Sequence, residues 1–197
     1  MPTGVAIPDV CQQLFGAAER VLLRDGPSGL TSRAVTTEAG CAKGVLHRHF
    51  ADFDAFLAEL VLDRIDQVGR QSAALLECAG TGTVTGNLAA ALTEQFGSVA
   101  VKIVSLLIFR DDLRARLRET IPSRIPVATE VATMVASYLA AERDLGRIAV
   151  GADIDTLALT LIGTAHLQAV DREGQPEPGA VAAMVATVLA GVLPDRQ

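Results

Sequence analysis

Apolar residues recur three and four positions apart along almost the whole chain, and the apolar-polar alternation of a half-buried strand is nearly absent. Val10, Leu14, Ala17, Ala18, Val21 and Leu22 set the pattern. A chain built this way buries stripes on helices, so the expected class is all-α. Asp9 is placed to cap the first helix, Gln12 to close a capping box, and Gly26 with Pro27 to end it. Thr31 then caps a short segment ending at Gly40, with Val35 and Ala39 on one face. After a turn over 40–42, Lys43 opens another short segment in which Leu46 and Phe50 lie four apart. Two short helices joined by a glycine-containing turn form a helix-turn-helix.

A longer helix opens near Asp52 and carries Phe56, Leu57, Leu60, Val61 and Ile65 towards Cys78, before a Gly- and Thr-rich loop over 80–87. Helices are expected over 88–96 and 99–117, meeting near Gly97, and over 126–143 behind Pro122 and Pro126. Val127, Val131, Met134, Val135 and Tyr138 face inward on the last of these. Asp153 caps a helix to about Asp171, a proline-containing loop covers 172–179, and a final helix covers 180–193. The expectation is about nine helices. Residues 8–52 are expected to form a three-helix module, and 53–197 a larger helical domain.

Composition bounds the partners. Half of the 197 residues are hydrophobic and only 4% aromatic, so alanine, leucine and valine fill the core. The net charge is −6, whereas a surface wholly given to nucleic acid would be basic. Any DNA contact must therefore be local. Cys11, Cys41 and Cys78 are odd in number and widely spaced, which suggests neither a disulfide framework nor a zinc site. Residues 1–10 lack the cationic start and apolar run of a signal peptide. The apolar stretches 99–109 and 180–193 fall short of the roughly 18 to 20 residues that span a bilayer. A soluble, cytoplasmic protein without a membrane partner is expected.

Residues 30–50 are the segment richest in function. Arg33, Lys43 and Arg48 stand there against one acid, Glu38, and His47 and His49 add donors. A helix that enters the major groove by its N-terminus needs small or polar residues at its start, which Lys43 and Gly44 supply, while Leu46 and Phe50 turn back into the module.

At this point the sequence resembles the tetracycline-repressor (TetR) family. The resembling pattern is Leu30-Thr31, Arg33, Val35, Ala39-Gly40-Cys41, Lys43-Gly44, Leu46, His47, His49-Phe50, then Asp54 and Phe56-Leu57, within about 14–60. By resemblance, Thr31 and Arg33 anchor the first short helix to the DNA backbone or groove edge. Lys43 and Gly44 lie at base edges, and His47, Arg48 and His49 contact phosphates or adjacent bases. The chain departs from the family at His47, where tyrosine is usual, at Thr36, where alanine is frequent, and at Phe53. There a lysine that pairs with phosphate is common.

Ordinary roles compete with these. His47 and His49 are about 200 degrees apart on a helix and cannot share a metal. No metal site or cofactor is expected. Cys41 reads as a buried, inert thiol. The run 110–118 reads as a solvated helical face in which Asp112 and Arg116 are spaced for an ion pair. No Glu-x-x-His pair, phosphate-binding glycine loop or nucleophile turn is present, so no catalytic residue is assigned and an enzyme is not expected.

The helix 180–193 is apolar nearly all round and must be covered on every side. The preceding helix presents Thr156, Thr160, Gly163, Thr164 and Leu167 on one narrow stripe. A two-fold, four-helix homodimer interface through Thr156, Thr160, Gly163, Leu167, Val181, Met184, Val188 and Val192 follows. Phe96, Ile103, Phe109, Met134, Tyr138 and His166 are the candidate effector contacts, though a core role competes at each. The expected function is a ligand-responsive transcriptional regulator, by family a repressor. An apolar or amphipathic molecule would release it from operator DNA, with the helix from Asp52 as lever. The alternative is a helical ligand-binding or adaptor protein with weak or lost DNA binding.

Overall fold

The computed structural model describes residues 10–96, 99–121, 125–171 and 178–194, and among them every regular element is a helix. In chain order these are α1 (Val10–Gly29), α2 (Ser32–Glu38), α3 (Val45–His49), α4 (Phe53–Glu77) and α5 (Val84–Phe96). There follow α6 (Ala100–Phe109), α7 (Asp111–Arg118), α8 (Pro126–Asp144), α9 (Ile154–Asp171) and α10 (Pro178–Leu189). The chain packs as two compact units, Met1–Leu62 with Lys102–Arg124, and Asp63–Val101 with Ile125–Gln197. The first unit contains the expected module 8–52 and adds the start of α4, most of α6, and α7. No single described helix is long and apolar enough to cross a membrane.

In the first unit, Leu14, Ala17, Ala18, Val21 and Leu22 are buried along one face of α1, as their spacing requires. Gly26 leaves the helix at φ 70°, a backbone geometry that glycine adopts without strain, and Pro27 follows it. The Asp9 cap lies outside the described residues, as do the meeting of helices near Gly97, Pro122 and most of the loop 172–179.

The region 99–117 is two helices rather than one, so ten helices stand among the described residues where about nine were expected. Arg110 is extended at φ −122°, ψ 91° and separates α6 from α7. The break leaves carbonyls at the end of α6 without helical partners. Arg114 satisfies two of them, its Nη1 donating to Leu107 O at 2.9 Å and Ile108 O at 2.6 Å. Asp111 and Asp112 in the first turn of α7 and Arg116 and Arg118 in the last oppose its dipole.

The second unit packs α5, α8, α9 and α10 together. α5 begins at Val84, within the expected loop, because Thr83 accepts from Gly86 N at 3.0 Å and caps it. Asp153 caps α9 as expected, accepting from Thr156 N at 3.1 Å. Tyr138 is fully buried, and its hydroxyl donates to Glu142, which is also fully buried. Arg147 lies 3.1 Å from that carboxylate and donates to Gly82 O at 2.7 Å. Asn87 Nδ2 reaches the Tyr138 hydroxyl at 2.9 Å. A buried carboxylate is tolerated here because the Arg147 cation and two further donors, the Tyr138 hydroxyl and Gly80 N at 3.3 Å, surround it.

Candidate nucleic-acid interface

The helix-turn-helix is assembled by local bonds. Thr31 Oγ1 accepts from Ala34 N at 3.1 Å and caps α2. Gly40 turns the chain at φ 65°, with Gly40 N on Thr37 O at 3.1 Å and Cys41 N on Thr36 O at 2.9 Å. Gln13 of α1 donates to Ala39 O at 2.8 Å and fixes the turn from outside. Cys41 is half-buried rather than buried. Thr36, only 2% exposed, satisfies its hydroxyl on Ser32 O and Arg33 O within its own helix. Burying a hydroxyl where an alanine would do thus leaves no unpaired donor.

α3 is oriented by aromatic packing. Phe50, just past its end, meets Phe15 of α1 at 6.1 Å and Phe56 of α4 at 5.1 Å between ring centroids. Phe15 and Phe56 themselves meet at 5.6 Å, closing a triangle beneath the recognition segment. Leu46 is fully buried and Val45 half-buried, which leaves His47, Arg48 and His49 facing out.

Thr31, Arg33, Lys43, Gly44, His47, Arg48 and His49 are all exposed. Among the described residues, Arg33, Lys43 and Arg48 pair with no carboxylate. The one acid of the segment is occupied elsewhere. Arg20 and Arg24 of α1 each hold a Glu38 oxygen at 2.8 Å. Hydrogen bonds from Arg24 and then Arg20 hold the Glu38 carboxyl below its usual range. Gly44 caps α3 at an ordinary φ of −83°, and a Cβ added there would meet nothing within 4 Å. The fold needs glycine at 40 but not at 44.

Phe53 stacks on Phe56 at 5.7 Å and 19°, and the Arg110 guanidinium lies 5.7 Å from the Phe53 centroid. Arg110 also pairs with Asp54 at 3.1 Å, and Arg116 donates to Asp52 at 2.9 Å. This corrects two expectations for 110–118. Arg116 is bound to Asp52 rather than Asp112, and the run is not merely a solvated face.

The candidate effector residues are dispersed. Ile103 and Phe109 belong to the first unit, Phe96, Met134, Tyr138 and His166 to the second. Phe109 is 80% exposed, while Ile103 and Tyr138 are buried. Phe96 and His166 meet edge to face at 6.4 Å. Met134 alone of the six lines a groove of about 410 Å³ in the second unit. Its walls include Ala74, Leu75 and Ala91, with Arg70 and Glu94 beside them. Sequence reasoning missed that groove because small alanines carry no recognisable signal.

For the expected dimer surface, Thr156, Thr160, Gly163 and Leu167 of α9 are exposed. Val181 and Met184 are buried inside the unit, so neither can face a partner. Val188 and Val192 are half-buried. α10 instead exposes Ala182, Ala183, Ala186 and Thr187.

Residues 14–60 match the family model described as bacterial regulatory proteins, tetR family. No curated protein matches the chain. A putative TetR-family transcriptional regulator from Mesorhizobium loti is 19% identical at TM-score 0.65, covering 93% of this chain and 96% of that one. A TetR-family regulator from Agrobacterium tumefaciens is 12% identical at TM-score 0.72, covering 93% and 97%. FadR from Bacillus subtilis, solved with stearoyl-CoA, is 16% identical at TM-score 0.67, covering 91% and 98%. The structural likenesses establish the fold, and over residues 14–60, the helix-turn-helix itself, the chain is similar in sequence to the tetR family of bacterial regulatory proteins.

Proposed function

We propose that the protein is a homodimeric transcriptional regulator. It grips double-stranded operator DNA through α2 and α3, and an apolar or amphipathic small molecule releases it. The observation that carries the DNA reading is the state of the cations. Arg33, Lys43 and Arg48 are exposed and uncompensated, while Glu38 is tied to α1. Free cations on a surface that also presents a bare glycine backbone suit phosphate oxygens and a groove floor. A homodimer would present two such faces, one for each half-site.

Two features support the remainder. Leu159 at 65% and Leu167 at 70% exposure lie beside Gly163 on α9, and the accessible face of α10 is alanine-rich. Exposed apolar stripes of this kind are covered in an oligomer. The groove lined by Met134, Leu75 and alanines, with Arg70 at its wall, fits an amphipathic ligand. FadR, with its bound stearoyl-CoA, is a relative in fold with a ligand of that character.

The test is a salt-dependent titration of labelled duplex from upstream of the protein's own gene against mixed-sequence duplex. Regulation predicts tighter binding to the former and a steep loss of affinity with salt on both. Absence of binding to either at low salt would leave a ligand-binding or adaptor protein.

A further inference from the structure

The first unit owes its charge balance to a part of the chain far from the helix-turn-helix. Residues 1–62 carry five Lys and Arg against seven Asp and Glu, a net −2 unsuited to a polyanion. Residues 102–124 bring six against three, a net +3 that makes the unit +1. The second unit holds six against thirteen, net −7, so almost the whole acidity of the protein lies outside the first.

The imported cations are aimed. Asp52 and Asp54 directly follow the recognition helix, Asp52 three residues after His49. Asp52 caps α4, accepting from Ala55 N at 2.6 Å, so its carboxylate is held at that spot. Hydrogen bonds from Ala55 N and then Arg116 hold its carboxyl below the usual range, so it stays ionised. Left alone, two fixed anions beside His47, Arg48 and His49 would repel the phosphates those residues address. Arg116 reaches Asp52 across 64 positions at 2.9 Å, and Arg110 reaches Asp54 at 3.1 Å while lying over Phe53. Neither arginine has a role in the helix-turn-helix hydrogen bonds.

We propose that Arg116 and Arg110 are positioning residues for DNA binding, which act by cancelling Asp52 and Asp54 beside the recognition helix. The proposal rests on the DNA-binding reading above. It assigns α7 an electrostatic part in that reading although α7 supplies no residue of the helix-turn-helix.

A double-mutant cycle tests it, with the intact protein and a labelled mixed-sequence DNA duplex as probe, read by fluorescence anisotropy at low salt. Arg116→Gln should weaken binding about threefold, and Arg116→Gln with Arg110→Gln about tenfold, both differences shrinking as salt rises. Asp52→Asn keeps a capping side chain. It should restore Arg116→Gln to the wild-type affinity and, introduced alone, should tighten binding. Asp54→Asn should likewise restore Arg110→Gln. Arg116 and Asp52 are both partly exposed, so their substitution empties no core position, and melting curves check the fold of every variant. If Asp52→Asn fails to rescue Arg116→Gln, the arginine acts by packing or by touching phosphate itself, and the proposal is overturned. Equal binding by wild type and Arg116→Gln overturns it too, with the DNA reading intact. No binding by the wild type overturns both.

Discussion

Arg20 of α1 holds Glu38 of α2 through an Nε to Oε1 contact of 2.8 Å, with Arg24 at the same distance on the other oxygen. The pair neutralises Glu38, the one acid in the segment 30–50 that carries Lys43 and Arg48. It also links the fold to pH. The folded carboxyl titrates below its ordinary value of 4.5, so its contribution is complete above that value and lost as pH falls through the depressed one. Glu38→Gln should therefore flatten the acid limb of a plot of Tm against pH below about 4.5 and leave the neutral limb parallel to wild type. Superimposable acid limbs would show that the ion pair has no thermodynamic weight.

Gly44 separates fold from function. Its backbone suits any residue and the space around it is open, so Gly44→Ala gains backbone entropy but loses a favoured N-cap, and stability should stay within about 1 kcal/mol of wild type. The same methyl group would obstruct close approach of a groove edge, so DNA affinity should fall. Thermal melting and anisotropy on one preparation measure both, and a variant that keeps its stability without losing affinity removes Gly44 from the interface.

Lys43→Ala should weaken operator binding by about 1 to 3 kcal/mol if the ammonium reads a base edge. If it meets phosphate only, the loss should be similar on every sequence and the salt slope should fall by about one unit. Binding unchanged on all DNA would exclude α3 from the groove.

The proposed dimer surface can be tested at a position that packs against nothing in the single chain. A Cβ at Gly163 meets nothing within 4 Å in the single chain, so Gly163→Glu disturbs no contact within it. Sedimentation should nevertheless show a monomer, because an unpaired charge cannot be buried against a second α9. A stable dimer of Gly163→Glu would move the interface elsewhere.

Tyr138→Phe removes a donor from the buried Glu142 carboxylate. The expected loss is about 1 to 3 kcal/mol in chemical denaturation. Burial and the neighbouring carboxylate push the Tyr138 phenol above its ordinary range, so wild type should keep one unionised tyrosine, its only one, at pH 10. Normal phenol ionisation at that pH would mean the network opens in solution.

Periodicity, caps and turn residues made the helix-turn-helix readable from the chain alone. They act over three or four residues, and Thr31, Gly40 and Asp153 behave in the fold as their local chemistry dictates. The exposure of Lys43, His47 and Arg48 followed from the same arithmetic, because Leu46 and Phe50 claim the inward face. Two matters were decided only in three dimensions. The helix 180–193 is apolar all round, so its sequence holds no asymmetry to say which face turns inward, and packing against α5 and α9 chose Val181 and Met184. Arg116 stands four residues from Asp112, a spacing that favours a pair, yet Asp52 captures it from 64 residues away. An exposed ion pair of that spacing is worth only a few tenths of a kcal/mol, so any carboxylate the fold fixes within reach can displace it.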